Sequence, residues 1–496
     1  MNYCDLLFST EVKDLEREVI IDAESGKRLS YRELKEEVLK VAAFLRSKGY
    51  KPRTVFSTHL YNSAEAAIIL LAIQYIGCVI SLIDPLFKAD ELSYYVEDSG
   101  SKCLITHLNE ADIKIGLEHE VEIINIKEIE DVCSKIVADS YEGLRMYDFD
   151  EDELAMLLYT SGSTSTPKAV MLSTGCFYTF LDKSNKSMYR YEPADRLLCF
   201  VPFSHAYGSV SLLIPALAHK AAIVFLRSFH PAKVANTISS ENITHIFGVP
   251  THYQQLLKYE SFFKDLRKLK AAFSAAAPLS YDTAFSWFKN TGVYLDEGYG
   301  MTEATTLIST RMSLLPEPSG NVGFPPENII RIEAVDEDKK VVEDGIIGEL
   351  RITGPGLMLG YLNRPKETAE RLKGGWLYTG DFGYRRSDGS YVICGRKTEF
   401  INVAGLKISP IEIEAALNSH PDVVDSAAIG VEDNIYGEVV KAFVVKREDS
   451  KVSERELIKY LSNKLANFKV PKYISFLDEF PRNNVGKIDK KALKSL

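Results

Sequence analysis

The chain has 496 residues, with 59 Lys plus Arg against 69 Asp plus Glu, a formal net charge of −10, and 46% hydrophobic and 26% charged residues. This is the composition of a soluble globular protein; it excludes disorder and fibrous repeats, and a length far beyond about 250 residues divides into more than one cooperative core. The acidic balance argues against a dedicated nucleic-acid or anionic-membrane binder, because either needs a basic face to replace released counterions.

The first residues, Met1-Asn2-Tyr3-Cys4-Asp5, carry no basic region followed by a long apolar run, so no secretory signal is expected and the cytoplasm is the expected location. Seven scattered cysteines form no CxxC pair and nine histidines show no HxxxH spacing. Neither a disulfide framework nor a zinc site is expected. Residues 66–83 are apolar apart from Gln74, Gly77 and Ser81, long enough to be weighed as a membrane span. They read better as a helix capped by Asn62 or Ser63 and ended by a left-handed Gly77. A buried strand over 78–83 follows, stopped by Asp84-Pro85.

Strand-like runs at 54–59, 78–83, 102–106 and 122–125 alternate with helical patterns, and a second such series runs through 197–201, 221–226, 245–249 and 271–274. That rhythm predicts a large N-terminal α/β body of two doubly wound subdomains. From Asn328 the texture changes to short β segments such as 348–353 and 391–394, separated by Gly and Pro, which reads as a β subdomain. The last hundred residues predict a small α/β C-terminal domain: helix 410–418, strands 423–431 and 439–445, helix 454–465 and strand 473–477. The expected division is 1–395 and 396–496, with a short hinge between Cys394 and Asn402.

The loop Thr160-Ser161-Gly162-Ser163-Thr164-Ser165-Thr166-Pro167-Lys168 follows an apolar run at 154–158. Hydroxyls and unpaired backbone N–H groups there can wrap phosphate oxygens, and Lys168 can add positive charge. Alone, such a loop is more often a solvated turn. It is not a Walker A motif, because no glycine precedes the lysine and Ala169 follows it.

The loop closely resembles the phosphate loop of the adenylate-forming superfamily, which includes acyl-CoA synthetases, with Ser165 and Ala169 where the family usually has glycine. Further matches follow in family order. Pro202-Phe203-Ser204-His205-Ala206-Tyr207-Gly208 resembles the acyl-site motif, and Tyr299-Gly300-Met301-Thr302-Glu303 resembles the family's YGxTE segment. Gly348-Glu349-Leu350, Gly360-Tyr361 and Trp376-Leu377-Tyr378-Thr379-Gly380-Asp381 resemble later core motifs. Gly395-Arg396-Lys397-Thr398 with Ala404-Gly405 resembles the hinge and thiol-tunnel segment, and Gly486-Lys487 the C-terminal loop.

The resemblance implies roles for these residues. Thr160, Ser161, Gly162, Ser163, Thr164, Lys168, Ala276, Tyr299, Thr302, Asp381, Arg396 and Lys487 would bind ATP, with Tyr299 on adenine and Asp381 on ribose. Glu303 would help hold Mg²⁺, a hard cation that takes carboxylate oxygen. His205 would gate an acyl pocket that includes Tyr207, Ser211, Ala275, Gly300 and Thr305. Thr302, Glu303, His205 and Lys487 would be the catalytic set, Thr398 the pivot of a mobile small domain, and Ala404 and Gly405 the lining of the thiol tunnel.

The implied reaction converts a carboxylic acid and ATP to an acyl-adenylate and pyrophosphate, then passes the acyl group to CoA. The alternatives are a carrier-protein phosphopantetheine or an amine as acceptor and, more distantly, a nucleotide-binding module without turnover. Amino-acid-activating members of the family typically place an Asp beside the acyl-site motif, and Ser204-His205 carries none, so the resemblance disfavours an α-amino acid; the mixed small, hydroxyl and aromatic character of the implied pocket suits an aryl or medium-sized acid. A monomer or homodimer without nucleic-acid or membrane partners is expected.

Overall fold

A computed structural model describes residues 2–9, 15–109, 120–160, 166–177, 181, 191–259, 263–305, 307–312, 314, 320–404, 406–433, 435–482 and 488–496. The apolar stretch at 66–83 divides where its glycine dictates. The Ser63 side chain accepts the Ala66 N–H and starts the helix Ala64–Tyr75, Gly77 takes φ +81°, and Val79–Ile83 continues as a buried strand. A Cβ at Gly77 would overlap the Tyr147 ring, so the turn and the packing both require glycine. The Gln74 side-chain nitrogen donates to the carbonyls of Cys78 (2.9 Å) and Ala155 (2.8 Å), which pairs its N–H groups inside an apolar layer. Among the described residues no helix is long and apolar enough to cross a membrane.

That strand lies inside a seven-stranded sheet ordered Gly360–Tyr361, Lys168–Ser173, Leu154–Thr160, Val79–Ile83, Val55–His59, Cys103–Thr106, Glu122–Asn125. Its five central and outer strands from Leu154–Thr160 onward run parallel, joined by crossover helices, while Lys168–Ser173 and Gly360–Tyr361 pair antiparallel. A second, eight-stranded sheet is ordered Leu307–Arg311, Leu295–Gly300, Ala271–Ala275, His245–Gly248, Arg196–Cys199, Ala222–Phe225, Glu18–Asp22, Arg28–Ser30. The two sheets form the expected α/β body. The sequence reading placed no strand before residue 54, yet Ile20 and Ile21 pair in register with Ile223 and Val224. The first hairpin therefore completes a sheet whose other strands lie far along the chain.

The β subdomain is a six-stranded sheet ordered Asn321–Gly323, Tyr391–Arg396, Trp376–Arg385, Gly348–Thr353 and Arg331–Val335, with the short strand Leu372–Lys373 also paired to Trp376–Arg385. It starts at Asn321, before the expected 328, because Asn321 and Gly323 pair with Val392 and Tyr391. Its side chains merge with the core of the two larger sheets. Beyond it, Ile401, Ile408, Ile413, Leu417, Leu457 and Leu461 form a separate apolar cluster under a five-stranded sheet. The helices Pro410–Asn418 and Glu454–Ser462 cover that cluster. The second ends three residues earlier than its sequence pattern suggests, with Asn463 at the C-cap.

Candidate active site

The hairpin Leu154–Thr160 and Lys168–Ser173 carries the Ser/Thr loop, with Thr160 directly opposite Lys168. Its base is tied down. Tyr94 donates to the Pro167 carbonyl (2.6 Å), and the Tyr159 hydroxyl donates toward Asp98 (3.1 Å). Ala169 buries its methyl against Val79 and Leu157, so the residue that replaces a family glycine is absorbed by packing. Ser161, Gly162, Ser163, Thr164 and Ser165 lie outside the described residues, as do Gly405 and Lys487.

Across the site, the strand Leu295–Gly300 presents Tyr299 and then turns into the short helix Thr302–Ala304. Tyr299 donates a 2.6 Å hydrogen bond to Asp381, and the Arg396 guanidinium lies 3.3 Å from the same carboxylate. Asp381 and Arg396 are directly opposed on antiparallel strands, which fixes their spacing. Burial pushes the Asp381 carboxyl up, with Arg396 and the Tyr299 hydroxyl opposing the shift. Three sequence-selected residues, of which the hydrogen-bonded Tyr299 and Asp381 are 82 positions apart, are thus brought into one chain of contacts.

A second contact was not legible from the motifs. Tyr361 donates to the buried Glu303 carboxylate at 2.8 Å, and the Lys168 ammonium sits over the Tyr361 ring, 5.5 Å from its centroid. The tyrosine reaches this place because Gly360–Tyr361 adds a two-residue strand beside Val170 and Met171. Thr302 and Glu303 are both buried, and the Glu303 carbonyl accepts the Met358 N–H (2.9 Å). Thr305 donates to the Gly356 carbonyl (2.6 Å), so the 354–358 loop docks on the Thr302–Thr305 turn.

His205 caps the turn Ala206–Gly208; its Nδ1 accepts the Tyr207 N–H at 3.2 Å, which leaves the ring proton to Nε2 in the neutral tautomer. A Cβ on Gly208 would overlap the Pro202 carbonyl, so this turn needs glycine. Asn62 holds the same segment by accepting the Phe203 N–H and donating to the Val201 carbonyl, both at 2.9 Å. The sequence offered Asn62 or Ser63 as a helix cap; Ser63 caps, and Asn62 braces the segment that leads into the His205 turn. Behind it, Tyr207, Ser211, Ala275 and Leu307 line one cavity together with Phe247, Phe273, Ser274 and Gly298. The last four were not among the sequence candidates. They sit on strands of the eight-stranded sheet, at or near the carboxyl ends where α/β sheets bind ligands, so strand prediction plus that rule could have found three of them. Gly300, opposite Leu307 in register, lies beside this group.

Ala276 (φ +70°), Thr305 (φ +67°) and Ala404 (φ +51°) all take left-handed backbone, which costs a non-glycine residue on the order of 1 kcal/mol or more. Ala404 stands apart from the groups above: it is exposed at a hairpin of the small domain, where its N–H donates to the Tyr436 carbonyl (2.8 Å). Thr398 is exposed in the turn closed by Glu399 N–H donating to the Arg396 carbonyl (2.9 Å). Just beyond, Lys490 pairs with Glu414 (2.8 Å) and approaches Glu399 (3.7 Å), anchoring the turn to the small domain. On the strands Leu295–Gly300 and Leu307–Arg311, Arg311 and Glu297 form a buried ion pair (2.7 Å), and Glu297 also accepts the Leu279 N–H (3.1 Å).

The profile of the family described as AMP-binding enzyme matches residues 9–362, and that of the AMP-binding enzyme C-terminal domain matches 412–487. A long-chain-fatty-acid–CoA ligase of Bacillus subtilis (strain 168) is 29% identical over 503 residues, covering 94% of this chain and 90% of the relative. An oxalate–CoA ligase of Arabidopsis thaliana is 31% identical over 489 residues, covering 95% and 94%. The ATP-bound crystal structure of MatB from Rhodopseudomonas palustris superposes with TM-score 0.91 at 28% identity, covering 100% of this chain and 99% of that one. The apo form of the same protein gives 0.83, so the arrangement here is nearer the ATP-bound one.

Proposed function

Because this chain belongs to the AMP-binding enzyme family, we propose that it activates a carboxylic acid with ATP, forming an acyl-adenylate and pyrophosphate, and then transfers the acyl group to the thiol of CoA. The observation that carries this reading is the Tyr299–Asp381–Arg396 chain of contacts, which gathers the residues assigned to adenosine from three separate segments.

A carboxylate is a poor electrophile, and esterification to AMP makes its carbonyl attackable. The acid oxygen attacks the α-phosphorus and pyrophosphate departs in line. Such phosphoryl chemistry needs positioning and charge neutralisation more than proton transfer. Thr302 and the Ser/Thr loop, Thr160 to Thr164, would hold the phosphates, Lys168 would oppose their charge, and Lys487 would neutralise the charge that develops on transfer. Tyr299 supplies a face for the purine, and Asp381 an acceptor for ribose hydroxyls. His205, whose Nδ1 accepts the Tyr207 N–H, would gate the acyl side.

Glu303 fits a Mg²⁺ ion that arrives with the nucleotide. One buried carboxylate completed by phosphate oxygens and water is a donor set Mg²⁺ accepts, and among the described residues no group of three or more His, Cys, Asp or Glu could hold a metal alone. When bound, the ion would neutralise triphosphate charge. The separate apolar cluster of the small domain supports a boundary at 395/396. The exposed Thr398 turn supports a pivot there, about which Lys487 would leave and the Ala404-Gly405 hairpin would approach to admit the thiol.

The test is pyrophosphate exchange into ATP over a panel of acids, followed by product mass with CoA, with holo carrier proteins and with amines. Acid-dependent exchange and a CoA thioester are expected. Exchange without a CoA thioester, while an amine or carrier protein is acylated, would overturn the acceptor; no exchange with any acid would overturn the adenylation.

A further inference from the structure

The crossover helix Ala89–Ser99 docks by one stripe and reaches out with another. Leu92 and Val96, one turn apart, are buried against Ile83 and Leu104 of the two strands that the helix connects. That apolar stripe is what a crossover helix needs to hold its place. Tyr94 and Asp98 are also one turn apart and so share a second stripe, and its contacts run to the hairpin that carries Thr160 and Lys168.

Both strands of that hairpin are fastened there. The Tyr94 hydroxyl donates to the carbonyl of Pro167, the residue before Lys168, at 2.6 Å. The hydroxyl of Tyr159, the residue before Thr160, lies 3.1 Å from one Asp98 oxygen and 3.2 Å from the Tyr95 carbonyl. Burial, and then the Asp98 charge, push the Tyr159 hydroxyl up, so it stays a donor. The Tyr95 ring meets the Tyr159 ring edge-on, with centroids 4.7 Å apart. Thr160 and Lys168 are opposed in register, so holding their two neighbours fixes the pair.

Asp98 has a second partner. Arg364 approaches its other oxygen at 3.5 Å, and the Arg364 N–H donates to the Tyr361 carbonyl at 3.2 Å. Tyr361 is the ring beside the Lys168 ammonium and the donor to Glu303. Asp98 therefore links the strand that ends at Thr160 to the segment that supports Lys168 and Glu303. Its side chain is only 11% exposed, and a carboxylate so poorly solvated depends on both partners.

Neither Tyr94 nor Asp98 lies in any of the sequence motifs, and the crossover packs without them. We propose that Tyr94 and Asp98 are positioning residues of the adenylation step, holding Thr160 and Lys168 in place for the outer phosphates of ATP. The proposal rests on the adenylation reading above. Pyrophosphate has left before the thiol attacks, so the second half-reaction does not use this brace.

The test uses the full chain with Tyr94→Phe, which keeps the ring and loses one hydroxyl, and Asp98→Asn, which keeps the shape and loses the charge. Calorimetry with Mg²⁺ and α,β-methylene-ATP, set against AMP, measures what the two outer phosphates add to affinity. In wild type the triphosphate should bind roughly tenfold tighter or more. Tyr94→Phe should lower that ratio roughly threefold to tenfold, and Asp98→Asn at least as much, with AMP affinity unchanged. With an acid that supports pyrophosphate exchange, KM for ATP should rise while thioester formation from supplied acyl-adenylate keeps its wild-type rate. Leu92→Ala, which loosens the apolar stripe of the same helix, should lower the thermal midpoint and leave the ratio alone. No triphosphate preference in wild type, an unchanged ratio in both variants, equal losses in AMP binding or in the thioester step, or a matching loss in Leu92→Ala would overturn the proposal. If the ratio falls as expected but no acid drives pyrophosphate exchange, the brace stands and the adenylation reading falls.

Discussion

Single side chains around the site act through one another. Tyr361 spends its hydroxyl on Glu303 and its ring on Lys168, so it orients two groups assigned to phosphate and metal without itself carrying charge. Tyr361→Phe removes the hydrogen bond and keeps the ring. Hydrogen bonds to charged groups contribute about 1.5–3 kcal/mol, so kcat/KM for pyrophosphate exchange should fall roughly tenfold to a hundredfold, with the apparent Mg²⁺ requirement raised. An unchanged Mg²⁺ dependence would reduce Tyr361 to packing. Far from the chemistry, His59 is fully buried; burial first, and the His107 charge second, hold its imidazole down at about 4 against the ordinary 6.5. The unfolded chain takes up this proton first, so the stability involved is complete above pH 6.5 and is lost as pH falls toward 4, on the order of 3 kcal/mol. Denaturation midpoints of wild type and His59→Gln should therefore converge as pH is lowered from 7 to 4.5, and parallel curves would refute the assignment.

At the scale of elements, the strands Leu295–Gly300 and Leu307–Arg311 are locked by the Glu297–Arg311 pair, whose residues face each other in register. The pair also holds the 276–279 turn through the Leu279 N–H, which ties the strained Ala276 to a rigid support. Removing one member of a buried pair strands the other charge at about 3–5 kcal/mol. Arg311→Met should destabilise the N-terminal body by that amount in denaturant unfolding, and Glu297→Gln added to it should recover a substantial part. A single substitution within experimental error of wild type would show that the pair is solvated in solution.

For the whole molecule, the separate core of the small domain and the short exposed turn at Thr398 support the proposal that the small domain turns about very few residues. If Lys487 serves only one orientation, Lys487→Ala should abolish most adenylate formation while leaving thioester formation from supplied acyl-adenylate largely intact; equal losses in both half-reactions would sink the two-orientation account. Thr398→Pro fixes φ at the proposed pivot and should uncouple the halves, lowering overall turnover more than either half-reaction alone. Wild-type turnover in that variant would move the pivot elsewhere.

The sequence by itself determined what contiguous residues can specify. The stop at Gly77, the Ser63 cap, the alternating strands, the small domain and the motif segments are all short-range: each depends on backbone preference, local capping or an apolar period readable within a few residues. Tertiary structure alone decided which distant residues share a hydrogen bond or a cavity. Tyr361 and Glu303 are 58 residues apart, and the first hairpin finds its partner strand some two hundred residues later. Phe247 and Phe273 come from separate strand-like runs, and only the sheet lays their rings parallel, 5.0 Å apart, along one cavity. Such pairings are set by packing the two sheets against each other, an energy summed over the whole core, and no local window of sequence contains it.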